Sequence, residues 1–136
     1  RWLNEKLDRT EFMPFAPVTL KEYASECYEG YKPETCPAAD FMTISLDCTE
    51  TMAERSPGVV HVDETARPQI IDREINPLYY EILAAYHDKT GIPSLINTSF
   101  NMHGEPIACT PAQAISSFEA SNTDALVMNT TVVTRG

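Results

Sequence analysis

The segment from Asn76 to Gly91 constrains the fold most, because the sequence specifies both ends of a helix there. Asn76 is a preferred N-cap residue, Pro77 suits the first helical position, and Gly91 is the residue type that commonly follows a helix C-terminus. The sequence therefore predicts a helix over residues 77–90. Its predicted core-facing side chains recur at helical spacing: Tyr79, Ile82, Leu83 and Tyr86.

Extended segments are predicted on both sides of this helix. Residues 11–20 contain Pro14 and Pro17, which exclude a helix and favour an edge or bent strand. Apolar runs or alternation predict further strands in residues 40–48, 57–63, 66–72, 93–100, 124–128 and 131–134.

A second helix is predicted to start at Thr110. Thr110-Pro111-Ala112-Gln113 has the pattern of a capping box with proline at the first helical position. Ile115 and Phe118 are its predicted core anchors. Strands alternating with helices indicate the α/β class: a mixed, twisted β-sheet with flanking helices, in a single domain of residues 1–136.

Composition and charge exclude several functions. The net charge of −10 disfavours a nucleic-acid partner, because such proteins present a basic face to phosphates. No apolar run approaches the ~20 residues of a membrane span, and no signal peptide pattern is present, so a soluble, cytoplasmic protein without a membrane partner is expected. No cysteine pair has CxxC spacing, so no zinc site is predicted. The even number of cysteines would permit two disulfides in a secreted protein, but without a signal peptide four free thiols are expected.

The polar run Asn97-Thr98-Ser99-Phe100-Asn101 is the sharpest candidate site. On a strand, Asn97, Ser99 and Asn101 would point to one side, just where an apolar run ends. Ligands of open α/β sheets bind beyond such strand ends. The alternative is that these side chains only cap turns, as Asn and Ser commonly do.

Two groups of charged residues form further candidates. His61 and Asp63 would share a strand face near Arg67, whose guanidinium suits phosphate or carboxylate. The alternative there is a weak surface ion pair between Asp63 and Arg67. A metal site of His61, Asp63 and His103 has no supporting spacing, and no metal site is predicted. Lys6 and Arg9 lie near the start of the chain, where a solvated helix face is the alternative.

Four long strings together carry a family resemblance. They are LNEKLDRTEFMPFAP at 3–17, HVDETARPQ at 61–69, TGIPSLINTSFNMHGEPI at 90–107 and TPAQAISSFEASNTDALVM at 110–128. In this order they resemble the C-terminal domain of the NodU/CmcH/TobZ-type O-carbamoyltransferases. The strings span nearly the whole chain, and the resemblance implies a YrdC-like fold.

The resemblance also implies a function and a set of ligand-binding residues. Domains of this family bind ATP and carbamoyl phosphate, with Mg²⁺ on the pyrophosphate, and form a carbamoyl-adenylate. A separate, metal-carrying N-terminal domain then passes the carbamoyl group to a substrate hydroxyl. The resemblance matches Lys6 and Arg9 to a basic pair of the family, and Ser99 and Asn101 to its Ser-x-Asn motif. With His61, Arg67 and Asn97 from the residue patterns, these are the predicted ligand-binding residues of this chain.

Two departures from the family pattern accompany the resemblance. A basic residue is expected two positions before Arg9, where this sequence has Leu7 with Lys6 adjacent. A segment resembling GRxExGPRALGxRS and the N-terminal domain that acts on the acceptor are expected upstream and are not in this sequence, so the isolated chain is expected to be inactive. The alternatives are a non-catalytic nucleotide-binding or interaction module, and a YrdC-type threonylcarbamoyl-adenylate enzyme, which the acidic charge disfavours.

Overall fold

The computed structural model describes Asn4 and residues 14–135 of the chain. Residues 14–98 form one compact unit, and residues 99–135 belong to a second. Both contain helices and β-strands, which confirms the predicted α/β class. The YrdC-like topology and the single domain stay predictions. No helix within the described ranges is long and apolar enough to cross a membrane.

The unit of residues 14–98 is built from short strands and one long helix. Its strands are β1 (Ala16–Leu20), β2 (Leu46–Asp47), β3 (Thr65–Ala66), β4 (Gln69–Ile71) and β5 (Ser94–Asn97). Its α-helices are α1 (Ala24–Cys27), α2 (Glu50–Arg55) and α3 (Pro77–Thr90). Short 3-10 turns occupy Lys21–Tyr23, Pro37–Phe41 and Pro57–Val59.

The central sheet has the order β4-β1-β5. Strand β1 runs parallel to β4 and antiparallel to β5, which confirms the mixed sheet. The edge position predicted for β1 is wrong, because β1 is the middle strand and all five of its residues are buried. The sheet tolerates Pro17 because Pro17 pairs only with Ile96 of β5, and pairing with β4 begins one residue later, at Val18.

Helix α3 begins and ends where the sequence predicts. The Asn76 side chain accepts a hydrogen bond from the Tyr79 N–H, and Gly91 adopts a left-handed conformation with φ 70°. Leu83 is fully buried at 0% exposure, but Ile82 is 52% exposed, so its predicted core position is wrong. Neighbouring helix positions differ by about 100° in direction, so a face centred on Leu83 excludes Ile82 and includes Tyr80.

The strands predicted over 40–48 and 57–63 are largely wrong. Only Leu46–Asp47 of the first segment is a strand, and the second contains a 3-10 turn, Pro57–Val59. Prolines at 37 and 57 each occupy the first positions of a 3-10 turn, where their fixed φ is already suitable. Residues 66–72 divide into the end of β3 and the whole of β4.

The described part of the second unit contains a helix and a hairpin. Helix α4 (Pro111–Ala120) has the predicted capping box between Thr110 and Gln113. Phe118 is buried as predicted, whereas Ile115 is 43% exposed, so its core role is wrong. Strands β6 (Ala125–Met128) and β7 (Thr131–Thr134) pair antiparallel, as expected of two short closing strands.

The core of the first unit is apolar, with one polar exception. Val18 and Leu20 of β1 pack with Ile71 of β4 and Leu83 of α3. Between them in sequence, the fully buried Thr19 hydroxyl lies 2.7 Å from the Tyr28 hydroxyl and 2.8 Å from the Ser94 hydroxyl. These hydrogen bonds link the central strand to β5 and to the end of α1.

We expect Thr19→Val to destabilise the protein by about 1–3 kcal/mol, because it leaves buried hydroxyls of Tyr28 and Ser94 short of a partner. Chemical denaturation of the intact protein measures this loss. Thr131→Val, at an exposed position of β7, is the control and should change the unfolding free energy by less than about 0.5 kcal/mol. Equal stability of the two variants would contradict the importance of the Thr19 network.

Candidate functional site

The candidate residues are distributed over both units. His61, Arg67 and Asn97 lie in the unit of residues 14–98, and Ser99 and Asn101 belong to the second unit. Lys6 and Arg9 lie outside the described residues. A single ligand that needs both an anion site and carbamoyl recognition would require His61 and Arg67 to lie near Ser99 and Asn101, and this proximity stays a prediction.

Residues His61 to Thr65 form a tight turn rather than a strand. The His61 N–H donates to the Thr65 carbonyl over 2.7 Å, and the Glu64 N–H donates to the His61 carbonyl over 3.0 Å. Glu64 has a left-handed φ of 63°. One Asp63 carboxylate oxygen accepts from both the Thr65 N–H, at 3.2 Å, and the Thr65 hydroxyl, at 2.8 Å. The sequence predicts a turn that contains Asp63-Glu64-Thr65, and the structure confirms that turn; the contacts of the Thr65 hydroxyl were not predicted.

The turn also fixes the chemical state of its two titratable side chains. Hydrogen bonds from the Thr65 hydroxyl and backbone hold the pKa of Asp63 below its ordinary value. Since the Thr65 hydroxyl gives its proton to Asp63, it can only accept from His61 Nδ1, 3.2 Å away. Nδ1 therefore carries a proton, and Nε2 of a neutral His61 is left as an acceptor.

Arg67 offers a cation that the surrounding residues do not neutralise. Its side chain is exposed, between the buried Ala66 and the buried Pro68. Across residues 14–135 the structure contains no ion pair or side-chain hydrogen bond to Arg67, so the alternative pair with Asp63 does not form. The two buried neighbours anchor the backbone from which the guanidinium extends.

Asn97 lies at the end of β5 between two side chains that hold its amide group. Its Nδ2 donates to Gln69 Oε1 over 2.7 Å, and its Oδ1 accepts from the Tyr79 hydroxyl over 3.3 Å. Burial raises the pKa of Tyr79, so the phenol stays protonated and able to donate. Sequence reasoning missed Gln69 and Tyr79, because their contact with Asn97 depends on the sheet register and on the packing of α3.

Ser99 and Asn101 build a closed loop. The Ser99 hydroxyl donates to Asn101 Oδ1 over 2.5 Å, and Asn101 Nδ2 donates to the carbonyls of Met102, at 3.0 Å, and Glu105, at 2.9 Å. Gly104 has a φ of 82°, which favours glycine at this turn. Asn101 thus performs the turn-capping role that the sequence left as an alternative.

The described residues offer no ready protein site for a metal ion. No group of three or more His, Cys, Asp or Glu side chains in that part of the chain could hold one. His61 and Asp63 are both engaged with Thr65 in the turn. The four cysteines are free thiols, as predicted.

Comparison with known proteins gives a consistent family assignment. A family model described as "Carbamoyltransferase C-terminus" matches residues 1–135. The chain is 37% identical over 125 residues to nodulation protein NolNO of Sinorhizobium fredii, covering 92% of this chain and 18% of that protein. It is 36% identical over 103 residues to nodulation protein U of Rhizobium tropici, covering 76% of this chain and 17% of that protein.

A similar match extends to an archaeal protein. An uncharacterized protein of Methanocaldococcus jannaschii is 38% identical over 133 residues, covering 98% of this chain and 25% of that protein. The chain therefore spans a quarter or less of the length of these three relatives.

We expect Thr65→Val to raise the pKa of Asp63 toward its ordinary value of 3.8, because the variant lacks the hydroxyl that donates to the carboxylate. Since the folded pKa is depressed, the stability that Asp63 contributes is present above its unfolded pKa and is lost as pH falls through the folded pKa. Carboxyl NMR titration measures the midpoint. Thr65→Ser keeps the hydroxyl and should retain the low pKa; an unchanged midpoint in Thr65→Val would contradict this assignment.

Proposed function

The chain belongs to the carbamoyltransferase C-terminus family, and on this premise we propose that it binds ATP and carbamoyl phosphate and forms a carbamoyl-adenylate. Two of the similar proteins are named nodulation proteins, and they match this chain over about a fifth of their length. We assign transfer of the carbamoyl group to a substrate hydroxyl to an N-terminal domain of the same polypeptide, which carries its own metal. A reaction that consumes ATP is consistent with a cytoplasmic location.

The proposed reaction on this domain has two steps, and one bond is broken in each. Loss of phosphate from carbamoyl phosphate by hydrolysis yields carbamate. A carbamate oxygen then attacks the α-phosphorus of ATP, and the bond from that phosphorus to the pyrophosphate oxygen breaks. Mg²⁺ bound with the nucleotide would supply further positive charge for the departing pyrophosphate, beside Arg67 of this chain. The residues of this chain hold the reactants in line and neutralise phosphate charge; no side-chain nucleophile is needed.

The observation that carries the proposal is the exposed Arg67 guanidinium, which no described residue pairs. A permanent cation with a planar fork of donors suits a phosphate group. The buried Ala66 and Pro68 hold the Arg67 backbone in place, so the guanidinium extends from a fixed position. The turn that precedes β3 holds His61, whose Nε2 acceptor can take a proton-bearing ligand group.

Asn97 is proposed to recognise the planar carbamoyl group. An amide side chain has four hydrogen-bonding positions, and only one Nδ2 proton and one Oδ1 lone pair are used by Gln69 and Tyr79. The remaining Nδ2 proton and Oδ1 lone pair of Asn97 complement a carbamoyl group, which presents an N–H donor and a carbonyl acceptor. Ser99 and Asn101 are proposed to contribute from the closed loop, and Lys6 and Arg9 are proposed to contact the phosphates.

In the full-length parent protein, we expect Arg67→Gln to lower carbamoyl-phosphate-dependent ATP–pyrophosphate exchange by roughly 10²–10³, because the phosphate charge would lose a positioned donor. Unfolding free energy should change by less than about 0.5 kcal/mol, since an exposed side chain is altered. Lys32→Gln removes another exposed cation of the same unit and serves as the control.

Two results would count against this role for Arg67. If Arg67→Gln retains the wild-type rate of ATP–pyrophosphate exchange, Arg67 does not bind the phosphate. If the unmodified full-length parent protein shows no carbamoyl-phosphate-dependent ATP–pyrophosphate exchange, this result would support the alternative of a non-catalytic nucleotide-binding or interaction module.

In the full-length parent protein, we expect Asn101→Ala to lower the same exchange by roughly 10²–10³, because the loop that carries Ser99 loses the amide that holds it together. The protein should stay folded, as judged by its circular dichroism and its cooperative unfolding. Asn122→Ala, an exposed asparagine of the same unit, is the control. If Asn101→Ala keeps full exchange, or loses it only through unfolding, Asn101 caps a turn and is not part of the ligand site.

A further inference from the structure

The hairpin of β6 and β7 has an edge that no described residue covers. Among the described residues β6 and β7 pair only with each other. All four residues of β7 are exposed, and the side chains of β7 play no part in the proposed carbamoyl chemistry. A two-stranded hairpin is marginally stable in water unless further strands or a helix support it. The outer edge of β7 is therefore open to the addition of another strand.

The hydrogen bonds of the hairpin show which backbone groups point away from β6. The Arg135 N–H donates to the Asp124 carbonyl over 3.4 Å, so these residues form a hydrogen-bonded pair of the ladder. Along an antiparallel ladder such pairs alternate with pairs that do not bond to each other. In β7 the N–H and C=O groups of Val132 and Thr134 therefore point outward. No described residue forms a backbone hydrogen bond with them.

One face of the hairpin is covered by a helix, and the other face is apolar and exposed. Helix α4 packs against β6, and Leu126 of that strand is buried. Side chains alternate between the two faces of a strand, so Val127 and its cross-strand partner Val132 share the opposite face. They are 60% and 62% exposed. A strand added to β7 would extend this face and bury part of the valine pair.

The sequence of β7 gives its edge no protection against strand addition. Proteins commonly guard an exposed edge with charged side chains, prolines or a bulge. Residues Thr131–Thr134 are Thr-Val-Val-Thr, without a charge or a proline. Arg135 follows, but its guanidinium donates to the carbonyls of Phe118 and Ser121 and lies over the Phe118 ring. The adjacent cation is thus directed toward α4 and leaves the β7 edge unguarded.

We propose that the edge of β7 is an assembly surface, to which an extended segment of the same polypeptide, from outside residues 1–136, adds as a third strand. The backbone of that segment pairs with the outward groups of Val132 and Thr134. Its apolar side chains continue the exposed face of Val127 and Val132. The proposal rests on the family assignment and does not depend on the carbamoyl chemistry.

Two arguments favour a segment of the same polypeptide over a second copy of this chain. The chain spans a quarter or less of the length of the relatives compared above, so these proteins carry much further sequence in the same polypeptide. A tethered segment acts at an effective concentration of about millimolar, without a partner having to diffuse to it. A second copy would instead bring another net charge of −10 and be repelled.

Hydrogen exchange of the full-length parent protein, read at single amides, tests the proposal without any substitution. The outward N–H groups of Val132 and Thr134 should exchange as slowly as the Val133 N–H, which points toward β6. Relative to an unstructured peptide we expect slowing by at least about 100-fold, as for other paired strands. Exchange of Val132 and Thr134 at the rate of an unstructured peptide would overturn the proposal. So would slowing that disappears on tenfold dilution, because it would identify a second copy as the partner.

Two variants of the parent protein separate strand addition from the stability of the hairpin. Thr134→Pro removes one outward N–H and leaves the bonds to β6 in place, as proline does at a sheet edge. It should speed exchange of the Val132 N–H by about tenfold, the effect of one lost hydrogen bond, while the Val133 N–H stays protected. Thr134→Val keeps both the N–H and the branched side chain and is the matched control. Unchanged protection of Val132 in Thr134→Pro would contradict strand addition.

Photocross-linking identifies the added strand. A benzophenone amino acid in place of Val132 places the reactive group on the exposed face of the hairpin. In the full-length parent, the cross-linked peptide found by mass spectrometry should come from outside residues 1–136 and from the same polypeptide. A cross-link confined to residues 1–136, or one that joins two copies of the protein, would overturn the proposal.

Discussion

One buried hydroxyl in the middle of β1 couples the parts of the sheet on which the candidate site depends. Thr19 is paired with Ser94 across the β1–β5 ladder, and their hydroxyls are in contact as well. This double link fixes the β5 strand that ends at Asn97. Because Asn97 is then held by Gln69 of β4, the amide position depends on both flanking strands of β1. A polar group in this core is costly unless it is paired, and its pairing selects one register.

Polar residues around the candidate site differ in how much of their hydrogen-bonding capacity the fold consumes. Asp63 and Thr65 are engaged within their own turn, and the Asn101 amide contacts three groups of its own loop. Asn97 uses about half of its capacity, and Arg67 uses none on the described residues. Arg67 and Asn97 therefore keep hydrogen-bonding groups that no described residue uses, whereas Asp63, Thr65 and Asn101 hold their own turns together.

Local signals made parts of this fold predictable. The caps of α3 and α4 were visible in the sequence because a cap involves residues only a few positions apart. The predictions of strands were wrong where Pro37 and Pro57 begin 3-10 turns, because the apolar pattern of the sequence does not distinguish a 3-10 turn from a β-strand. The contacts of Asn97 were not predictable, because they join positions 18 and 28 residues apart through a register that no local pattern encodes. The core position predicted for Ile82 is wrong for a similar reason: helix α3 buries the face centred on Leu83, and no local pattern encodes which face is buried.

The acidic character of the chain does not conflict with a phosphate-bearing ligand. The net charge of −10 is spread over the surface, and at physiological salt its field decays over about 8 Å. A guanidinium in direct contact with a phosphate lies well inside that distance and is screened far less. Local placement of cations such as Arg67 therefore matters more for affinity than the total charge, which mainly slows the approach of an anion. For this reason the acidic balance disfavours extended polyanions such as nucleic acids and does not conflict with a compact nucleotide site.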